Sequence, residues 1–347
     1  MPNYFFFRPP ADDPAFAFQA PAWDDQGDGL ASNYYAHSCP GVEEIARAVL
    51  EEAVGRDGRV GASLLRLHFH DCFVSGCDGS ILLDATPELQ SEKAATPNRN
   101  SARGFEVIDA IKAAVERECE GVVSCADLLA IAARDSVVLS GGHPWEVLLG
   151  RRDSLEPNFK GANTDIPAPN STLSQLIAAF ANKGLSTADM VTLSGSHTVG
   201  FSRCSSFTQR LYDHQRSGSP DPDLDPELLR HLQRLCPRGG DANAIAMLDV
   251  YSPARFDNSY FANLQLRRGV LSSDQALLTV LSPSSSSENL SEDSLVSGVL
   301  VEAYAYDESR FLEAFGEAMV KLGSIAPLTG DRGEVRRDCR VVNSDEQ

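Results

Sequence analysis

The chain has 347 residues, 42% of them hydrophobic and 23% charged, enough apolar material for one large domain or two modest ones. Its formal net charge of −19 argues against binding nucleic-acid phosphates or an anionic membrane surface, and leaves neutral or cationic small molecules as partners. No segment approaches the roughly 18 unbroken apolar residues that a membrane span needs.

In chain order, residues 1–30 run from Tyr4, Phe5, Phe6 and Phe7 into Arg8 and then into Asp12, Asp13, Asp24, Asp25 and Asp28. This is not the basic-then-apolar pattern of a secretory leader, so it reads as a disordered extension with no convincing signal peptide. Three- and four-residue apolar spacing then predicts helices over Val42–Val54, Phe105–Val115, Ala126–Val138, Leu173–Phe180, Leu224–Leu235, Val296–Tyr306 and Phe311–Leu322. Ser124 with Asp127, and Ser186 with Asp189, place a hydroxyl three residues before a carboxylate, as helix starts do. Period-two alternation is scarce, and Trp145–Leu149 is the best candidate strand. Joints rich in Pro and Gly separate the helices, and Ser282–Glu288 reads as an exposed low-complexity loop. The chain is a mostly α protein.

Residues 66–80, RLHFHDCFVSGCDGS, gather one Arg, two His, two Asp and two Cys. If Ser63–Cys72 is helical, Arg66 and His70 share a face, while His68 is turned from it by about 200°. A guanidinium has no lone pair for a metal, but beside an imidazole it suits cleavage of a polar bond. The ring moves a proton and the guanidinium stabilises the developing anion. Asp71, Asp78 and Ser80 surround a possible Cys72–Cys77 loop with Gly76 and Gly79, an oxygen set suited to Ca²⁺; a solvated acidic turn is the alternative. Zinc on His68, His70 and Cys72 is disfavoured because helical rotation separates the histidines. The eight cysteines (39, 72, 77, 119, 125, 204, 236 and 339) lack a C-x-x-C pair and read as four disulfides in an oxidising, secretory compartment. Asn170 and Asn289 begin glycosylation sequons, which agrees weakly. Leu193-Ser-Gly-Ser-His197 has a near echo in Leu139-Ser-Gly-Gly-His143, giving two candidate histidines for one role.

RLHFHDCFVSGCDGSILL, with SARGF, VSCADLLAIAARD, GRRDS, LSGSHTVG, FDNSYF, SSDQ and PLTG in that order, resembles the plant secretory haem peroxidases (class III) over residues 33–343. The resemblance implies a haem peroxidase domain over 31–343, with two helical lobes sandwiching one haem b, two Ca²⁺ ions and four disulfides. It implies a monomer that reduces H₂O₂ and oxidises small phenolic donors by one-electron steps, with no nucleic-acid or membrane partner. Its place would be the apoplast or cell wall, with the vacuole as the alternative.

Residue by residue, the resemblance makes His197 the axial ligand of the haem iron and Asp274 its hydrogen-bond partner. His143 then reads as a turn or surface residue. On the other face Arg66, Phe69 and His70 would line the peroxide site, with Asn98 holding the His70 tautomer. Glu92 would back a distal calcium held by the Asp71, Asp78 and Ser80 side chains and the Val74 and Gly76 carbonyls. A proximal calcium would use Thr198, Asp249, Ser252, the Arg255 carbonyl and Asp257. The disulfides would be Cys39–Cys119, Cys72–Cys77, Cys125–Cys339 and Cys204–Cys236. Pro167 would meet aromatic donors at the haem edge, where Thr96, Asn170 and Ser206 stand at positions that carry phenylalanine in some relatives. Trp145 and Phe105 read as core, and His37, His68, His214 and His231 as structural or surface residues.

Overall fold

Helix follows from the three- and four-residue apolar spacing nearly everywhere in the computed structural model, which describes residues 29–278 and 291–343. The expected extension, apart from residues 29 and 30, lies outside the described residues, as do the serine-rich loop and Asn289. In chain order the first helices are α1 (Val42–Arg56), α2 (Val60–Val74), α3 (Phe105–Glu118), α4 (Cys125–Leu139), α5 (Phe159–Thr164), α6 (Leu173–Ala181) and α7 (Thr187–Ser194). After them come α8 (Cys204–Tyr212), α9 (Pro226–Leu235), α10 (Ser259–Gln265), α11 (Ser272–Ala276), α12 (Glu292–Tyr306) and α13 (Glu308–Gly323).

Two apolar cores share α2 between them. Val60, Leu64 and Leu67 of α2 join Leu50 of α1, Ile108 and Ile111 of α3, and Leu128 and Leu129 of α4. From its other side, Leu65, Phe73 and Val74 join α6, α7, α10, α12 and α13 through Phe180, Met190, Phe261, Tyr304 and Phe311. A helix apolar on most of its circumference belongs in the interior, and α2 is buried at eleven of its fifteen positions. A smaller cluster holds α8 and α9 together around Cys204, Phe207, Leu232 and Cys236.

Helix starts follow their caps. Ser124 accepts from the Asp127 N–H, and Ser186 with Asp189 forms the reciprocal box. The expected Leu224 start moves to Pro226 because Asp225 caps the helix and Pro fits its first turn. Four disulfides are formed, Cys39–Cys119, Cys72–Cys77, Cys125–Cys339 and Cys204–Cys236, and these are the pairs the resemblance implied.

The expected strand at Trp145–Leu149 does not form. Leu149 makes only an isolated bridge to Ala31, since among the described residues no neighbouring strand pairs with the rest. Trp145 instead packs, partly buried, against both cores, and Phe105 is likewise partly buried. The strands that do form are β1 (Phe201–Arg203) and β2 (Ile245–Met247), an antiparallel pair. Three-residue strands so far apart in sequence carry no local signature.

Candidate active site

Along α2 one stripe escapes burial: Ala62, Ser63, Arg66 and Phe69, at the three- and four-residue spacing of a single helix face. Arg66 keeps accessible surface, yet burial, followed by the Arg203 charge, pushes its pKa down to about 10. A side chain both reachable and enclosed lines a cleft. The segment after α7 runs past this stripe. Gly200 approaches so closely that a Cβ there would sit 3.2 Å from the Ala62 Cβ, and its φ of +101° favours glycine as well.

Arg66 Nη2 donates to the Pro97 carbonyl at 2.7 Å and to Ser101 Oγ at 3.2 Å, anchoring the guanidinium to the loop that carries Asn98. Asn98 Nδ2 donates to the Glu92 carbonyl at 2.9 Å, which turns its Oδ1 toward His70 Nδ1, 2.5 Å away. Nδ1 therefore carries the ring proton and Nε2 keeps a free lone pair. Burial, then the Arg66 charge, holds His70 well below the ordinary histidine range, so it is a neutral base. Phe69 packs on Phe73 at 4.3 Å between ring centres and meets the His70 ring edge-on at 5.8 Å.

His68 faces the other way. It is buried with its Nδ1 3.7 Å from Cys72 Sγ, and burial and then Arg151 push its pKa down to about 3. His68, Cys72 and Cys77 come within metal-binding distance of one another, but both sulfurs are spent in a disulfide and offer no thiolate. His70 is not among them.

His197 lies in the turn Gly195–Thr198 after α7, just before the segment whose Gly200 meets Ala62 of α2. Its Nδ1 is 2.7 Å from Asp274 Oδ1, and 38% of its side chain is accessible, which leaves Nε2 available as a ligand. Among the described residues no carboxylate pairs with Arg66 or Arg203, so the cleft presents two guanidiniums to an anionic guest. An imidazole whose Nδ1 is held by a carboxylate, with Nε2 free and guanidiniums that no carboxylate pairs among the described residues, fits a haem with its iron and carboxylates. Pro167 is half-buried nearby; the Pro169 carbonyl accepts from the Ser273 N–H at 3.0 Å, tying that segment to α11 and hence to Asp274.

The two candidate calcium cages flank these histidines. Asp71 immediately follows His70, and its carboxylate accepts from Gly79 N at 3.0 Å, while Asp78 accepts from Ser80 N at 3.0 Å. Burial raises the pKa of Asp71, Asp78 and Glu92, Asp71 well above the carboxylate range and Glu92 to about 7. Ser80 Oγ and Glu92 Oε2 are buried and make no hydrogen bond of full geometry, although the Ser80 hydroxyl is near enough to Asp78 and Glu92 to lower the pKa of each against the effect of burial. Orphaned oxygens among mutually repelling acids fit a hard divalent cation. Gly76 is obligatory in this loop, since a Cβ would sit 2.5 Å from the Ala326 carbonyl.

One assigned ligand is already shared. Lys183 Nζ donates to the Val74 carbonyl at 3.0 Å while pairing with Asp165 at 2.9 Å. Sequence reasoning passed over Lys183, which lies 109 residues from Val74 and in no motif. On the proximal side Thr198 Oγ1 reaches Asp249 at 3.3 Å and Asp257 at 3.2 Å, and Ser252 Oγ reaches Asp257 at 3.0 Å. Burial raises the Asp249 pKa, with Asp257 adding its charge. The Arg255 side chain bridges outward, with Nε 3.7 Å from Asp257 Oδ2 and Nη2 2.8 Å from Glu308 Oε1.

The helical fold and these two histidine constellations define a haem-dependent oxidoreductase. The family model described as peroxidase matches residues 46–292. The chain is 51% identical over 318 residues to Peroxidase 49 of Arabidopsis thaliana, covering 92% of each chain. It is 46% identical over 315 residues to Peroxidase 15 of Ipomoea batatas, covering 90% of this chain and 93% of that one. The chain belongs to the peroxidase family, within its plant secretory class III branch. It is a haem-containing enzyme that uses hydrogen peroxide.

Proposed function

We propose that this peroxidase oxidises small phenolic donors by one-electron steps in the cleft between α2 and the His197 turn, with one haem b and two Ca²⁺ ions bound. When bound, haem supplies an iron that takes up peroxide and an electron acceptor for the donors. His197 would hold the iron, with Asp274 fixing its tautomer. His70 Nε2 takes the proton from the inner oxygen of H₂O₂ and returns it to the outer oxygen, which leaves as water. The Arg66 guanidinium stabilises the charge on that departing oxygen. Asn98 keeps Nδ1 protonated so that Nε2 stays basic, and Phe69 walls the site against bulk water. Asp71, Asp78, Ser80 and the Val74 and Gly76 carbonyls hold the distal calcium, backed by Glu92. Thr198, Asp249, Ser252, the Arg255 carbonyl and Asp257 hold the proximal one.

The observation that carries this reading is the His70–Asn98 contact, which fixes a neutral base beside an anchored guanidinium. Donors would meet the Pro167 carbonyl; Thr96, Asn170 and Ser206 leave this entrance without phenylalanines and favour polar phenols. The protein would act as a monomer. Four disulfides favour an oxidising location, the apoplast or cell wall, with the vacuole as the alternative. No helix of the described residues is long and apolar enough to cross a membrane.

The test is to load the chain with haem and Ca²⁺, add one equivalent of H₂O₂ and follow guaiacol oxidation. Product formation is expected, together with loss of the haem Soret band in His197→Ala. Absence of guaiacol oxidation in the loaded protein, or an unchanged band in the variant, would overturn the reading.

A further inference from the structure

Asp274 is shared. Its Oδ2 accepts from the Leu271 N–H at 3.0 Å, but its Oδ1 lies 2.7 Å from His197 Nδ1 and also accepts from Tyr260 Oη at 3.2 Å. Tyr260 sits at the start of α10, 2% exposed, with its ring edge-on to His197 at 6.2 Å and 79° and to Phe261 at 5.0 Å. Phenylalanine would fill this place equally well, so packing alone does not call for the hydroxyl. A buried hydroxyl needs a partner, and among the described residues the partner is the carboxylate that already serves His197.

From this arrangement we propose that Tyr260 is a positioning residue that sets the electron-donating strength of His197 by competing for Asp274 Oδ1. The inference rests on the reading of His197 as the iron's ligand. A carboxylate oxygen with one donor draws strongly on the histidine N–H and makes the ring imidazolate-like; a second donor on that oxygen spreads its charge and weakens the pull. Tyr260 thus moderates the ligand. Removing its hydroxyl lets Asp274 pull the Nδ1 proton further, which makes His197 more anionic and favours ferric over ferrous iron.

The experiment compares haem-loaded wild type, Tyr260→Phe and Tyr304→Phe by spectroelectrochemistry and by resonance Raman of the ferrous iron–histidine stretch. Tyr304 is the control: it is buried in the same aromatic group, 5.1 Å from Phe261, but bonds Thr192 at 2.8 Å instead of Asp274. Y260F is expected to raise the stretching frequency and to shift the ferric–ferrous ratio on the order of tenfold, a midpoint about 59 mV lower for one electron. Y304F is expected to leave both unchanged. An unchanged potential and stretch in Y260F overturns the proposal, as does an equal shift in Y304F. A wild-type spectrum lacking any iron–histidine stretch would instead overturn the reading of His197. Should Y260F fail to retain haem, difluorotyrosine incorporated throughout the wild-type chain strengthens the Tyr260 donor. It must then raise the midpoint and lower the stretch; no shift, or the opposite one, overturns the proposal.

Discussion

Two polar regions flank α2, and they are built on opposite terms. Behind it, among the described residues, the buried charges are paired, although Arg336 Nε and Asp135 Oδ2 themselves go without a hydrogen bond. Asp127 binds Arg151 at 2.8 Å and Tyr35 at 2.8 Å, and Asp153 accepts from the N–H groups of Cys125, Ala126 and Arg336. Arg336 Nη2 donates to the Gly79 carbonyl at 2.7 Å. In front, among the described residues, no carboxylate pairs with His70 or Arg66, and Asp71, Asp78 and Glu92 crowd together with only the Arg336 charge acting on Asp78 from behind. Buried polar groups that satisfy one another hold a fold together, whereas groups left unmatched mark where a guest belongs. The same short helix serves both purposes because its two sides answer to different neighbours.

The sharpest way to break this contrast is to remove one member from each side. His70→Leu, on the unmatched side, should lower peroxide turnover by roughly 10²–10⁴-fold, the usual loss for a proton-transfer group. Its cost to folding should stay within about 1–3 kcal/mol, from the Asn98 Oδ1 left without a donor. Steady-state rates and a denaturant melt on the same sample check both halves. Asp153→Ala, on the matched side, leaves the Cys125, Ala126 and Arg336 N–H groups without their acceptor and removes the carboxylate 3.8 Å from the fully buried Arg336 guanidinium, and should cost about 3–5 kcal/mol of stability. The loss should be the same with Ca²⁺ or with chelator. A Ca²⁺-dependent loss would mean that the two regions are not separate.

Chelation tests the unmatched acids as a group. Without an ion, burial raises Asp71, Asp78 and Glu92, so the folded chain holds protons that the unfolded chain has already released. Stability is then fully present below the unfolded carboxylate range and is lost as pH rises toward the folded value, about 7 for Glu92. Glu92 alone accounts for roughly 3 kcal/mol across that window. With Ca²⁺ bound the sign reverses, because the ion displaces those protons and binds more tightly as pH rises. Melting temperatures taken from about pH 5 to about pH 8, with Ca²⁺ and with chelator, should diverge upward and downward respectively.

Much of this architecture was legible in the sequence, and the remainder has a common cause. Helices such as α1 and α4 carry their period and caps locally, and the turn between Arg66 and His70 follows from 3.6 residues per turn. The motifs around His70 and His197 carried the family. What stayed hidden depends on neighbours distant in the chain: Trp145–Leu149 lacks a pairing strand among the described residues, β1 finds β2 across an intervening disulfide-linked helix pair, and Lys183 reaches Val74 from the turn after α6. Tyr260 lies inside the FDNSYF motif, but only the fold brings its hydroxyl to Asp274.

The smallest effect is the most diagnostic, because its sign should change. Ser80 Oγ is buried and unbonded beside Asp78 and Glu92. In chelated protein, Ser80→Ala removes a polar atom that lacks a partner, so the variant should be equal to wild type or more stable by about 1 kcal/mol. With Ca²⁺ present the same hydroxyl would become an ion ligand on the proposed reading, and its loss should then weaken binding and make the variant less stable than wild type. Matched melts with and without Ca²⁺ read the crossing directly. A change of the same sign in both conditions would place Ser80 with the satisfied groups behind α2 and leave the distal cage without its third side-chain oxygen.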